Sequence, residues 1–286
     1  MKKKLAAIVV ATMALSLAAC GGNNASTAAP AESAAASTAA STAAESTAAE
    51  STAAESTAAE STAEAASTIA FGDVMTYEEF DAAEIDTPVT VETYVQAKQS
   101  WWEGAATIYT QAEDGAYLIY GMGCTEEEYA KLVPGTKIKV AGYKSEWSGE
   151  IEITDAIYEI EEGEAFIAEP TDVTEFLGTD DLAKYMNQYV SFTGMTVEAA
   201  GKDDAGNDVA FLYNWDGSGE EGNDLYFNVS KDGKTYTFTV ESYLTGADTD
   251  VYQAVKALEI GQTVDLTGFL YWYEGANPHI TSVKVA

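Results

Sequence analysis

Carboxylates are the most abundant groups in this chain that could do chemistry, and no base or metal-binding partner is set against them in a catalytic pattern. Of 286 residues, 47 are Asp or Glu, one is His (His279) and two are Cys (Cys20 and Cys124). A His/Cys metal centre draws on several such ligands, and a nucleophilic side chain needs a base beside it. One His and one or two thiols supply neither, so the chain reads as non-enzymatic, with no cofactor and no metal. Cys124, in Gly121-Met122-Gly123-Cys124-Thr125, is expected to be a small buried apolar group rather than a nucleophile. The loop Asn214-Trp215-Asp216-Gly217-Ser218-Gly219-Glu220 follows the start of a calcium-binding pattern. Leu225 stands where the bidentate Glu is needed, so a polar hairpin turn is expected instead. The other chemistry-bearing residues are flat: five Trp and 17 Tyr, able to stack on sugar rings or clamp an extended peptide.

Charge narrows the partners. The formal net charge is −33, and every basic residue is a Lys. Binding to nucleic acid rests mainly on Lys and Arg neutralising phosphates, and that footprint is missing. Nucleic acid is therefore not expected as a partner, and the same field disfavours anionic surfaces and polymers. A plainer account of the charge, solubility, leaves that expectation unchanged.

The N-terminus sets the compartment. Lys2-Lys3-Lys4 is followed by an apolar run from Leu5 to Leu15 and then by Leu17-Ala18-Ala19-Cys20-Gly21. A basic start, a short apolar core and small residues before a cleavage point describe a secretory signal, here 1–19. The core is too short to remain as a bilayer span. Leu17-Ala18-Ala19-Cys20 resembles the lipobox of bacterial lipoproteins. The resemblance implies a diacylglyceryl thioether on Cys20, cleavage before it, and a lipid anchor in the outer leaflet of the cell membrane, with the mature chain extracytoplasmic. Lys2, Lys3 and Lys4 leave with the signal, so the mature chain is three charges more negative still.

Residues 20–70 are almost wholly Ala, Ser, Thr and Glu, with Ser-Thr-Ala-Ala-Glu recurring at Ser41–Glu45, Ser46–Glu50, Ser51–Glu55 and Ser56–Glu60. Such a segment buries too little apolar surface to offset its ordering entropy. Its five-residue period forms no continuous helical stripe. It reads as a disordered tether with an extended limit of about 165 Å and a coil dimension of about 40 Å.

The head contains an internal repeat. Pro134-Gly135-Thr136-Lys137-Ile138-Lys139-Val140-Ala141-Gly142-Tyr143 parallels Ile260-Gly261-Gln262-Thr263-Val264-Asp265-Leu266-Thr267-Gly268-Phe269. Each has Gly, alternating apolar residues, a second Gly seven positions on, then an aromatic. Each follows a helical pattern, Thr125–Leu132 (opened by a Thr125/Glu128 capping box) and Asp250–Leu258, and precedes one more alternating strand. Alternating strands at Val89–Val95 and Tyr189–Val197 open the two copies, and Glu113-Asp114-Gly115 marks a hairpin in the first. In the second copy a strand ending near Trp215 is expected, with Asp224–Ser230 as an extra strand. The domains are thus 71–163 and 164–286.

Strand, strand, strand, helix, strand, strand resembles the OB-fold, and the head is read as mainly β: two tandem five-stranded Greek-key barrels, each with a helix before the fourth strand. The whole chain is similar to tandem OB-like lipoproteins of Gram-positive gut bacteria. The fold resemblance implies a ligand face across the second and third strands, flanked by the loops between strands one and two and between strands four and five. On that basis the candidate ligand-binding residues are Trp101, Trp102, Tyr143 and Trp147 in the first copy and Trp215, Tyr271, Trp272 and Tyr273 in the second. The expected function is a membrane-anchored, non-catalytic binding or interaction module for a neutral carbohydrate or an extracellular peptide or protein. A rival reading buries these aromatics between the barrels in a structural role. A further alternative, nucleic-acid binding, is suggested by the OB-fold and opposed by charge.

Overall fold

The computed structural model describes residues 69–286. The signal, Cys20 and nearly all of the tether lie outside the described residues.

Alternation of apolar and polar residues, broken by glycine turns, produces the first barrel. A short helix α1 (Tyr77–Ala82) leads into β1 (Pro88–Lys98), β2 (Ala105–Gln111) and β3 (Ala116–Gly123). Then come α2 (Glu126–Tyr129), β4 (Lys137–Trp147) and β5 (Glu150–Ile160). The strands close in the order β1-β2-β3-β5-β4, sealed by a parallel pairing of β3 with β5 at Leu118↔Glu152 and Ile119↔Ile153. The expected capping box at Thr125 and Glu128 is formed, and Ala112 N–H donates to Gly115 O in the expected hairpin. Val91, Val95, Ile108, Ile119, Ile138, Val140 and Ile153 fill the interior. Lys144 is buried too, its Nζ donating to Phe80 O, Asp81 O and Ala83 O, where it caps the C-terminal end of α1.

The second barrel repeats this connectivity with insertions. A two-residue strand β6 (Thr171–Asp172) precedes β7 (Tyr189–Glu198). A long loop follows, carrying the small pair β8 (Gly201–Lys202) and β9 (Asp208–Val209) and the edge strand β10 (Phe211–Tyr213). The barrel continues through β11 (Leu225–Lys231), β12 (Lys234–Val240), α3 (Asp250–Lys256), β13 (Thr263–Phe269) and β14 (His279–Val285). It closes as β7-β11-β12-β14-β13, again through one parallel pairing, Thr239↔His279. The run Leu225–Lys231 is therefore the second barrel strand and not an extra one. Leu225, Phe227 and Val229 point inward, and Asp232 and Gly233, both at positive φ, turn it directly into β12. The extra strand is β10, so Trp215 sits in the first loop of the barrel rather than ending its second strand.

The repeated glycines have matching tasks. Gly135 and Gly261 take φ of 88° and 89°, and each N–H donates to the first strand of its barrel, at Val95 O and Val197 O. Gly142 and Gly268 lie where β4 and β13 slip register against their partners. A Cβ on Gly268 would fall 2.1 Å from His279 O, and one on Gly142 would fall 2.7 Å from Thr154 O. A small barrel must bend its strands sharply at such points, and only glycine lets the backbones approach.

The barrels share a third apolar cluster. Tyr109 of β2 and Leu118 of β3 pack against Phe269 of β13, with Ala97, Tyr189, Leu244 and Tyr271 around them. Backbone and polar bonds cross the same seam: Ser100 N–H to Tyr243 O, Glu274 N–H to Ser148 O, Tyr189 N–H to Gln111 Oε1, and Asn187 Nδ2 to Ile151 O. Residues 69–286 fall within one compact unit.

Candidate functional site

Part of the β2–β3 face of the first barrel is covered by the second, and the uncovered part opens into a cleft of about 650 Å³ between them. The first barrel contributes Gln99 just past β1, Thr107 and Tyr109 from β2, Tyr120 from β3 and Trp147 from the end of β4. From the second barrel come Trp215 in the first loop, Tyr226 on β11, and Tyr271, Tyr273 and Asn277 in the loop between β13 and β14. Positions in loops or at a strand end explain why the rings of Trp147, Trp215 and Tyr273 are available. Trp147 is 53% exposed, Tyr273 47% and Trp215 75%, so their faces are not spent on a core. Trp147 and Tyr273 meet across the barrel boundary at 5.2 Å between ring centroids, tilted by 40°.

The floor of the cleft is polar and buried. His279 is bonded through Nδ1 to the Tyr109 hydroxyl at 2.7 Å, and Tyr271 stacks on its ring at 4.4 Å. Burial holds the imidazole neutral by lowering its pKa to about 3. Glu241 accepts from Tyr243 N–H, Leu244 N–H and Gln99 Nε2. Burial nevertheless outweighs these bonds and raises its carboxyl to about 7. Asp224 fixes Oδ1 on the amide and hydroxyl of Ser242. No Lys lines the cleft.

Beside the cleft, Glu150 locks the seam between barrels. Its Oε2 accepts from Trp272 N–H at 2.8 Å. Asn187 Nδ2 donates to Ile151 O, while Glu150 Oε1 and Asn187 Oδ1 are buried without a hydrogen-bond partner. Burial outweighs the bond from Trp272 and raises the Glu150 carboxyl pKa to about 8.

Of the sequence-selected aromatics, Trp147, Trp215, Tyr271 and Tyr273 come together in the cleft. Trp102, 69% exposed, borders an adjoining depression that shares Gln99, Thr107 and Tyr120 with it. Trp101 packs on the first core and donates Nε1–H to Cys124 O. Trp272 packs on the second core with its ring against Gly149. Tyr143 lies on β4 opposite Pro88, away from the cleft. Tyr109, Tyr226, Asp224, Glu241 and His279 were not selected from sequence. Alternation along β2 and β11 could have singled out the two tyrosines, but in so acidic a chain nothing distinguishes Asp224 or Glu241. Cys124 is buried, and burial raises its thiol pKa. Asp216 closes a local turn onto Ser218 N–H.

No family model and no curated protein matches the chain. Solved structures align with much of the chain at low overall similarity. A murine DNA-binding protein bound with double-stranded DNA is 12% identical, with a TM-score of 0.33 over 69% of this chain and 96% of that one. The HINb domain of p204 is 12% identical, with a TM-score of 0.32 over 71% and 98%. A deletion mutant of the single-stranded DNA-binding protein from Thermus aquaticus is 12% identical, with a TM-score of 0.21 over 70% and 93%. The described residues form a mainly β, tandem OB-like protein. The likeness to these structures concerns fold alone.

These neighbours correct one expectation. No nucleic-acid partner was expected from charge, which kept nucleic-acid binding only as a disfavoured alternative, yet neighbouring solved structures are bound to DNA or are DNA-binding proteins. The charge argument concerned phosphate contacts. It does not reach base stacking, which exposed rings such as Trp147 and Trp215 could offer to any flat ligand. The exclusion of nucleic acid on charge alone does not stand.

Proposed function

We propose that this protein is a non-catalytic binding module, held outside the cell by a lipid on Cys20, that takes a carbohydrate or peptide ligand into the cleft between its barrels. The observation that carries the reading is the convergence of Trp147, Trp215 and Tyr273, exposed rings from three separate segments, on one concave site. Ligand pockets are typically concave and apolar with a few fixed polar groups, and 650 Å³ suits a ligand of one to a few rings. Glycan, peptidoglycan and peptide arrays with the full chain, with single-stranded DNA as a further probe, test the ligand class. Binding unaffected by Trp147→Ala and Trp215→Ala would defeat the assignment of the cleft. Metabolic labelling with a fatty-acid analogue tests the anchor: wild type should take the label and Cys20→Ala should not.

A further inference from the structure

The proposed cleft has a sign as well as a shape. The acids in its lining are Asp224 and Glu241, no Lys answers them, and the one imidazole, His279, is neutral. Around these carboxyls stand the rings of Trp147, Trp215, Tyr226, Tyr271 and Tyr273. An aromatic face is the negative part of a ring's quadrupole, so rings and carboxylates attract the same kind of group. An anionic ligand would meet two acids with no Lys to answer it. A neutral ligand could stack, but would leave the carboxylates uncompensated once water was displaced. The chain's net charge of −33 adds a long-range bias that gathers cations.

Resting on the assignment of the cleft as the binding site, we infer that it selects ligands bearing an organic ammonium group. The ammonium would sit against the ring faces with Asp224 and Glu241 as counter-charges. The same chemistry can be presented by a small quaternary amine, an amino sugar or a lysine side chain.

The site predicts a proton linkage. Around Glu241 the ionisable groups are Asp224 on the same barrel and the phenols of Tyr109, Tyr226 and Tyr271, which stay neutral in the ordinary pH range. A bound cation favours the ionised carboxylate, so it should release a proton from Glu241 where that group is partly protonated. Affinity for an ammonium ligand should therefore rise with pH through neutrality. A neutral ligand has no reason to follow that trend.

The test is calorimetric titration of the full chain with choline and with 3,3-dimethylbutanol, which has the same shape with carbon in place of the charged nitrogen. Choline should bind roughly tenfold more tightly, with severalfold higher affinity at pH 8 than at pH 6. Glu241→Gln should flatten that pH dependence, and Asp224→Asn should weaken choline alone. A chitosan disaccharide against its N-acetylated form, and a lysine peptide against its acetylated form, identify the source of the ammonium. Any ammonium probe that outbinds its neutral partner supports the inference. If none does, the inference is overturned. Neutral sugar or peptide binding that still depends on Trp147 and Trp215 would then leave the cleft assignment standing, whereas no binding of any probe would remove both.

Discussion

Glu150→Gln should make this protein more stable at neutral pH. In the fold Glu150 is fully buried, and burial raises its carboxyl from an ordinary value near 4.5 to about 8. A pKa raised in the folded state means that the fold prefers the protonated acid. The associated stability is complete below about pH 4.5, falls as the unfolded chain begins to ionise, and is fully lost once pH passes about 8. At pH 7 the unfolded form is ionised and the folded form is still mostly protonated, a difference of about 3 kcal/mol. Glutamine does not ionise in either state. Its carbonyl can keep the bond from Trp272 N–H. Urea unfolding of both proteins from pH 4 to pH 9 reads the difference directly. The variant should match wild type near pH 4 and gain steadily to about 3 kcal/mol at pH 7. The comparison cancels the general repulsion of an acidic chain, which both proteins share. A constant offset at every pH, or parallel curves, would refute the raised carboxyl pKa.

Three further outcomes follow from the geometry. Gly268→Ala should cost more than about 3 kcal/mol, because the new Cβ meets backbone on β14 that cannot swing away; a melting temperature near wild type would show that β13 can relax. Tyr109→Phe should cost about 1–3 kcal/mol, because it leaves buried His279 Nδ1 without its hydroxyl partner; denaturant midpoints measure it. Trp147→Ala and Trp215→Ala should each change stability by less than about 1 kcal/mol yet weaken ligand by about 1–3 kcal/mol, so a large loss in thermal melts would place those rings in the core.

Much of the fold was written locally. Gly135 and Gly142, and their counterparts Gly261 and Gly268, mark backbone positions where the bend itself demands the residue, so the duplication was legible without any contact being known. The second strand of the second barrel was misplaced because the inserted loop contains Phe211–Tyr213, as apolar and β-prone as a barrel strand, and only the closed hydrogen-bond circuit separates the two. The aromatic rim was half legible. Loop position singles out Trp147, Trp215 and Tyr273, but it cannot separate Trp101, whose ring turns back onto its own barrel, from its neighbour Trp102. Glu150, Glu241 and the Tyr109–His279 bond were not legible. Their meaning comes from burial between two barrels, and a residue's distance from a partner up to 170 positions away leaves no trace in local pattern.

The single parallel pairing that closes the second barrel has a kinetic meaning. Thr239 and His279 form that seam, with Thr239 N–H donating to Pro278 O, and the His279 ring is gripped from outside by Tyr109 of the first barrel. One barrel thus acts as the latch on the other. Amide hydrogen exchange at Thr239 becomes a reporter on the pair: a variant that loosens the two barrels should lower protection at this one amide, even where each keeps its own core.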